Sequence, residues 1–225
     1  MKLWQKKTTD FIFAVGCVIT IVCFSVSIAV LFRPLYYLDI NFLDIPGNSG
    51  YTEKECRENY DVLIDYNLIG GPDNLEFPSL EMSQEGEIHF QEVKDIFIPM
   101  QWISIICVPI IIARIIFDIR KRKRILSSDY EVQGRKVSWW MGQTLIVSAV
   151  LAVLVLVSIV IDWQWTFEMM HKIFFDNDYW IFNPLTDPVI KILPDTFFMH
   201  CGLLIISVMI GLLIVLGVAD KKMKI

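Results

Sequence analysis

The sequence predicts an α-helical integral membrane protein: four transmembrane helices, both termini inside, and a small mixed α+β extracellular cap built from two outer loops. Three observations lead there. The chain is 55% hydrophobic with a mean hydropathy of +0.52, above the apolar share of about 45–50% usual in soluble domains. The excess is gathered into four long runs separated by polar stretches. Finally, the polar stretches alternate in charge, basic and then acidic, although the net charge is only −5.

The first run covers residues 11–32, preceded by Lys2, Lys6 and Lys7. At about 1.5 Å per residue such a helix crosses a hydrocarbon core of roughly 30 Å. A cleaved signal peptide has a shorter core, about 7–15 residues, and a small-residue cleavage site; residues 30–33 offer none, so a retained helix is expected. The first outer loop, 33–95, follows with fourteen Asp/Glu against four Lys/Arg. In it, Thr52 and Glu55 fit a capping box opening an amphipathic helix to about Leu68, stopped by Gly70-Gly71-Pro72. Residues 80–90 read as a short hairpin around Gln84-Glu85-Gly86. A loop of this length in a compact protein is expected to fold, hence the cap.

The second run is 96–117, with Pro109 as a kink and Arg114 and Asp118 spaced to pair near its end. The loop 118–140 carries Arg120, Lys121, Arg122, Lys123, Arg124, Arg135 and Lys136. The third run is 141–161, the second outer loop 162–196, and the fourth run 197–218, before Lys221, Lys222 and Lys224. Basic residues therefore flank the N-terminus, the middle loop and the C-terminus, which the positive-inside rule places in the cytoplasm. The same rule makes the basic loop a topology signal rather than a nucleic-acid patch. Aromatics such as Trp102, Trp163, Trp165, Phe197 and Phe198 stand at the outer ends of the spans, as in an interfacial belt.

The helices hold almost no ionisable residue at mid-depth and no matched Gly/Pro-broken segments, which argues against an ion path or an inverted-repeat transporter. The five cysteines make neither a disulfide framework nor a metal pattern. No Gly-x-Ser-x-Gly elbow and no Gly-rich phosphate loop is present. Function is therefore expected in the outer loops, which hold His89 and His171, with His200 at the start of the fourth run. Histidine suits proton transfer near neutrality. His89 precedes the second span, and a helix beginning near Phe90 would disfavour its imidazolium. His171 falls in a short helix over 164–175, where Phe167, Phe174 and Phe175 at i−4, i+3 and i+4 surround it. Asn183-Pro184 and Asp187-Pro188 are turn chemistry first.

Two stretches carry a resemblance: His89-Phe90-x-Glu92-Val93-Lys94-Asp95-Ile96-Phe97, and His171-Lys172-Ile173-Phe174-Phe175-x-Asn177-Asp178-x-Trp180-x-Phe182-Asn183-Pro184-x-Thr186-Asp187-Pro188, followed by Leu193-Pro194. With them the whole chain resembles the bacterial lipoprotein intramolecular transacylases, although Asn183 stands where the resemblance leads one to expect an acidic residue. It implies an acyltransferase that moves the sn-2 acyl chain of a diacylglyceryl-cysteine onto that cysteine's own α-amino group, leaving a lyso-form lipoprotein. It also implies two catalytic histidines, His89 and His171, here assigned as general base and as acid or oxyanion stabiliser, in an order the residues leave open. Tyr36, Tyr37, Phe174, Phe175, Trp180 and Phe182 are expected to form an aromatic pocket. Lys94, Asn177, Asp178 and Asp187 are expected to position substrate or histidines. The expectation includes no cofactor and no metal, diacylated bacterial lipoproteins as substrate, membrane lipids as surroundings, no nucleic acid, and a monomer. The enzyme would be a multi-pass protein of the cell membrane with its active site on the extracellular side. The alternative reading is a non-enzymatic four-helix membrane protein whose cap binds a partner or ligand; a membrane metallohydrolase is a third.

Overall fold

The structure is a computed structural model that describes residues 3–126 and 139–223. The described residues form helices only: α1 (Leu3–Leu31), α2 (Pro34–Phe42), α3 (Ile45–Ser49), α4 (Glu53–Tyr66), α5 (Gln84–Leu126), α6 (Trp140–Ile161), α7 (Trp163–Phe174), α8 (Val189–Ile192) and α9 (Asp195–Met223). Four stretches are long and apolar enough to cross a membrane: Thr8–Leu31, Gln84–Lys121, Trp140–Ile161 and Asp195–Lys222. On α6, Ile146, Val150, Val153, Leu154 and Val157 are all exposed, as suits a helix solvated by hydrocarbon.

The cap is therefore helical, and no strand forms among the described residues. The expected hairpin over 80–90 is replaced by the start of α5, which runs ahead of the apolar stretch. Ser83 caps it: its Oγ accepts the Gly86 N–H at 3.0 Å, satisfying one of the donors a helix start leaves open. Asp187, far along the chain, accepts the Ser83 N–H at 2.8 Å. The helix also continues through Pro109 to Leu126, so the basic residues from Arg120 to Arg124 prolong its backbone; Arg135 and Lys136 lie outside the described residues.

The chain divides into two compact units. One holds residues 26–101 and 156–205. Its core joins Tyr36, Ile40, Tyr60, Phe90, Val189, Ile192 and Phe197. The Thr52–Glu55 capping box forms as expected and opens α4. The loop after α4 is tied to the N-terminal part of α5. Tyr66 Oη donates to Gln91 Oε1 at 2.8 Å, and Gln101 donates to Asn67 O and accepts from Ile69 N. These bonds fasten residues 66–69 to residues 91–101 of α5.

The other unit comprises residues 1–25, 102–155 and 206–225. Arg114 pairs with Asp118 at 3.3 Å, as its i,i+4 spacing predicts, and also with Asp10 at 3.2 Å. Trp140 Nε1 donates to the same Asp118 oxygen at 2.9 Å. Ionic groups inside a membrane protein persist only when paired in this way.

Candidate active site

His89 is carried by the sixth residue position of α5, seven residues before the apolar stretch that starts at Ile96. The helix dipole acts mainly within the first turn, so the early start of α5 removes the dipole as the cause of a neutral His89. Burial supplies that cause instead. His89 is 5% exposed, and desolvation, with a smaller contribution from the neighbouring His171, pushes its imidazole from 6.5 down to about 4. His171 sits on the last turns of α7, is 8% exposed, and is likewise lowered by burial.

The two rings come together from segments 82 residues apart in the chain, their centroids 6.0 Å from each other. Aromatic side chains enclose them. Phe175 meets His89 edge-on at 4.7 Å and Phe182 does so at 5.5 Å. Trp180 stacks on His171 at 4.7 Å, and Phe167 lies 4.2 Å from it. His171 Nδ1 is 2.8 Å from the Phe167 carbonyl oxygen. A carbonyl only accepts, so Nδ1 carries the proton and donates it, leaving Nε2 of the neutral ring as a free acceptor. His89 Nδ1 is buried without a partner. His171 is thus held in one tautomer and orientation, while His89 is held by ring packing.

Asn177 organises the wall. It donates through Nδ2 to Glu92 Oε1 at 2.7 Å, and its backbone carbonyl accepts from Trp180 Nε1 at 3.1 Å. Glu92 and Phe90 are additions to the expected set. Glu92 lies one turn after His89 on α5, a spacing visible in the sequence, and its Oε2 is buried without a partner. Phe90 stacks on Phe182 at 5.4 Å and so backs the pocket.

Several expected site residues lie elsewhere. Phe174 is 60% exposed: α7 ends there, and the extended backbone of Phe175 (φ −124°, ψ 134°) turns that ring, and not its neighbour, toward His89. Tyr36 is fully buried in the cap core, stacked on Tyr60 at 3.9 Å and donating to Ile192 O. Tyr37 donates to Asp61 at 2.6 Å beneath the Arg57 guanidinium. Lys94 donates to Pro72 O and covers the Tyr66 ring. Asp178 is exposed. Asp187 is buried and accepts the Ser83 N–H. His200 forms a separate pair, its Nδ1 donating to Asp39 at 2.8 Å. Asn183 makes the expected turn, its Oδ1 accepting the Leu185 N–H.

The buried histidine predicts a pH dependence of stability. In the unfolded chain His89 takes up a proton below about 6.5, whereas the folded site resists protonation until about 4. Stability from this group is therefore full above about pH 6.5 and falls as pH drops toward 4, by about 3 kcal/mol when complete. Thermal unfolding in detergent at neutral and acidic pH should show a smaller acid loss in His89→Gln than in the parent; equal losses would refute the assignment.

Comparison with known proteins identifies the family and the fold. The sequence model of the lipoprotein intramolecular transacylase family, Lit, matches residues 11–198. A solved structure of the membrane-integral lipoprotein intramolecular transacylase Lit from Bacillus cereus is 27% identical and covers 99% of this chain and 97% of its own, with a TM-score of 0.86. Two further structures of that protein carry a single histidine substitution, one to arginine and one to alanine. They superpose with TM-scores of 0.76 and 0.78 at 27% identity, covering 98% and 97% of this chain and 94% and 93% of theirs. No curated protein sequence matches. With a family match over most of its length and the same fold end to end, this chain belongs to the lipoprotein intramolecular transacylase family.

Proposed function

We propose that this chain is a lipoprotein intramolecular transacylase that moves the sn-2 acyl chain of a diacylglyceryl-cysteine onto the α-amino group of the same cysteine. The reading rests on family membership together with one observation: two buried, neutral histidines from separate outer segments, 6.0 Å apart inside an aromatic wall. The enclosing segments, 33–95 and 162–196, belong on the extracellular side by the distribution of basic residues. The substrate is a diacylated lipoprotein held in the membrane, and one copy of the chain carries both histidines.

His171 is the base. Its bare Nε2 accepts a proton from the attacking nitrogen, whose ordinary pKa is about 7.7–8.0. The nitrogen attacks the ester carbonyl, and the tetrahedral oxyanion is met by hydrogen-bond donation from neutral His89, a role suited to an imidazole that resists protonation. As the C–O bond breaks, His171 returns its proton to the departing sn-2 oxygen, which leaves as an alcohol. Nucleophile and ester are on one molecule, so no acyl-enzyme is needed. What the site contributes is orientation, worth up to roughly 7–11 kcal/mol in well-aligned cases. Phe175, Trp180 and Phe182 exclude water, which favours transfer over hydrolysis.

The test is mass spectrometry of lipoprotein N-terminal peptides from cells with and without the chain. Expression should convert peptides with a free amino terminus and two ester-linked acyl groups into isomers bearing one N-acyl and one O-acyl group, separable by fragmentation. Identical fragmentation in both cells would reject the transacylase in favour of a non-enzymatic cap.

A further inference from the structure

We infer that α7, the helix that carries His171, lies in the outer interfacial layer of the bilayer with its outward face in lipid. Its side chains form three rows. His171 and Phe167 face the buried site. Gln164, Glu168 and Lys172 recur at i,i+4 and form one polar row, joined by Gln164 Nε2 to Glu168 Oε1 at 3.3 Å and Lys172 Nζ to Glu168 Oε2 at 3.4 Å. The third row is apolar and open: Trp165 is 55% exposed, Met170 43% and Ile173 72%. Beyond the helix, Ile181 and Leu185 are also open, at 63% and 82% exposure. An amphipathic helix with aromatic and aliphatic residues on one side and charges on another is the kind that binds in the membrane interface.

The occupant is lipid because of where the patch begins. The apolar span α6 ends at Ile161, itself 77% exposed, and α7 begins at Trp163. Only Asp162 lies between. Its extended backbone (φ −157°, ψ 101°) breaks the helix, and its carboxylate caps α7 by accepting the Trp165 N–H at 2.9 Å. The open apolar row therefore continues directly from a surface already solvated by hydrocarbon, and a protein partner there would have to occupy the headgroup layer. The placement has a consequence that rests on the proposed reaction. An interfacial helix buries its apolar face about 5–10 Å into the headgroup/acyl boundary and is about 10–12 Å across. Ile173 is about 200° round the helix from His171, so His171 comes to headgroup level, where a diacylglyceryl ester lies, and substrate enters sideways from the leaflet.

Nitroxide labels at Ile173→Cys and Lys172→Cys, in the full chain with its native cysteines replaced and held in phosphatidylglycerol–phosphatidylcholine nanodiscs, read this directly. The label at 173 should favour oxygen over a water-soluble nickel chelate by about tenfold more than the label at 172. Equal access of the chelate to both overturns the inference, and so does shielding of position 173 from both reagents, which would mean a protein contact. In a second arm, Ile173→Asp should slow transacylation of bilayer-embedded substrate by about tenfold while leaving detergent-dissolved substrate unaffected; loss in both also overturns it. If the parent transacylates in neither, the proposed reaction fails while the label depths still decide the membrane placement.

Discussion

His171→Ala and His171→Gln both lower the transacylation rate by about 10²–10⁴-fold, the usual contribution of a positioned acid–base group. The expectation follows from the tautomer. Nδ1–H is committed to the Phe167 carbonyl at 2.8 Å, so the proton traffic must pass through Nε2. Glutamine can fill the space beside Trp180 and Phe167 but cannot carry a proton at neutral pH. His89 behaves differently. In the proposed reaction its buried, strongly lowered imidazole serves as a hydrogen-bond donor, and losing such a donor costs about 10²–10³-fold. A glutamine amide can restore part of that donation. Initial rates of N-acyl lipopeptide formation should therefore rank His89→Gln above His89→Ala, with no such gain for His171→Gln over His171→Ala. The reverse ranking would exchange the two roles. A pattern in which all four variants retain the parent rate would remove both histidines from the reaction.

Gly86→Ala is expected to destabilise the protein by about 2 kcal/mol, within the range for an overpacked buried site, and to slow the reaction as well. Gly86 lies in the first turn of α5, and a methyl group there would run into the Asp187 carboxylate. That carboxylate is buried, accepts the Ser83 N–H at 2.8 Å and the Thr186 hydroxyl at 2.7 Å, and cannot retreat without breaking one of them. The disturbance would reach His89 three residues further along the same helix. Since Asp187 is the group displaced, Gly86→Ala combined with Asp187→Ala should cost less than the two single changes added together. Melting temperatures in detergent for the four proteins give the cycle; strict additivity would show that the two residues do not press on one another.

The membrane spans were legible in the sequence because a span must be apolar over about 20 consecutive residues whatever surrounds it. The capping box at Thr52 and the helix around His171 were legible for a related reason, since both are written within a few neighbouring residues. The stretch 80–90 was misread because its deciding contact is distant. Gln84-Glu85-Gly86 resembles a turn until Asp187, some hundred residues later, seats against Gly86 and Ser83 and lets a helix begin. Phe174 and Phe175 are equivalent by helical spacing from His171, and only the end of α7 selects which ring reaches the site. Tyr36, Tyr37 and Lys94 suited a binding pocket by type, yet packing and nearby acceptors claimed them for the cap.

What the sequence determined by itself was therefore the local chemistry: four apolar helices, their charged flanks, and two histidines in the segments between them. The tertiary structure decided which groups meet. It brought His89 and His171 to 6.0 Å, chose Phe175, Trp180 and Phe182 as their enclosure, and set the His171 tautomer through a carbonyl one turn back. The reason is physical: hydropathy and capping act over a few residues, whereas desolvation of an imidazole depends on everything packed around it.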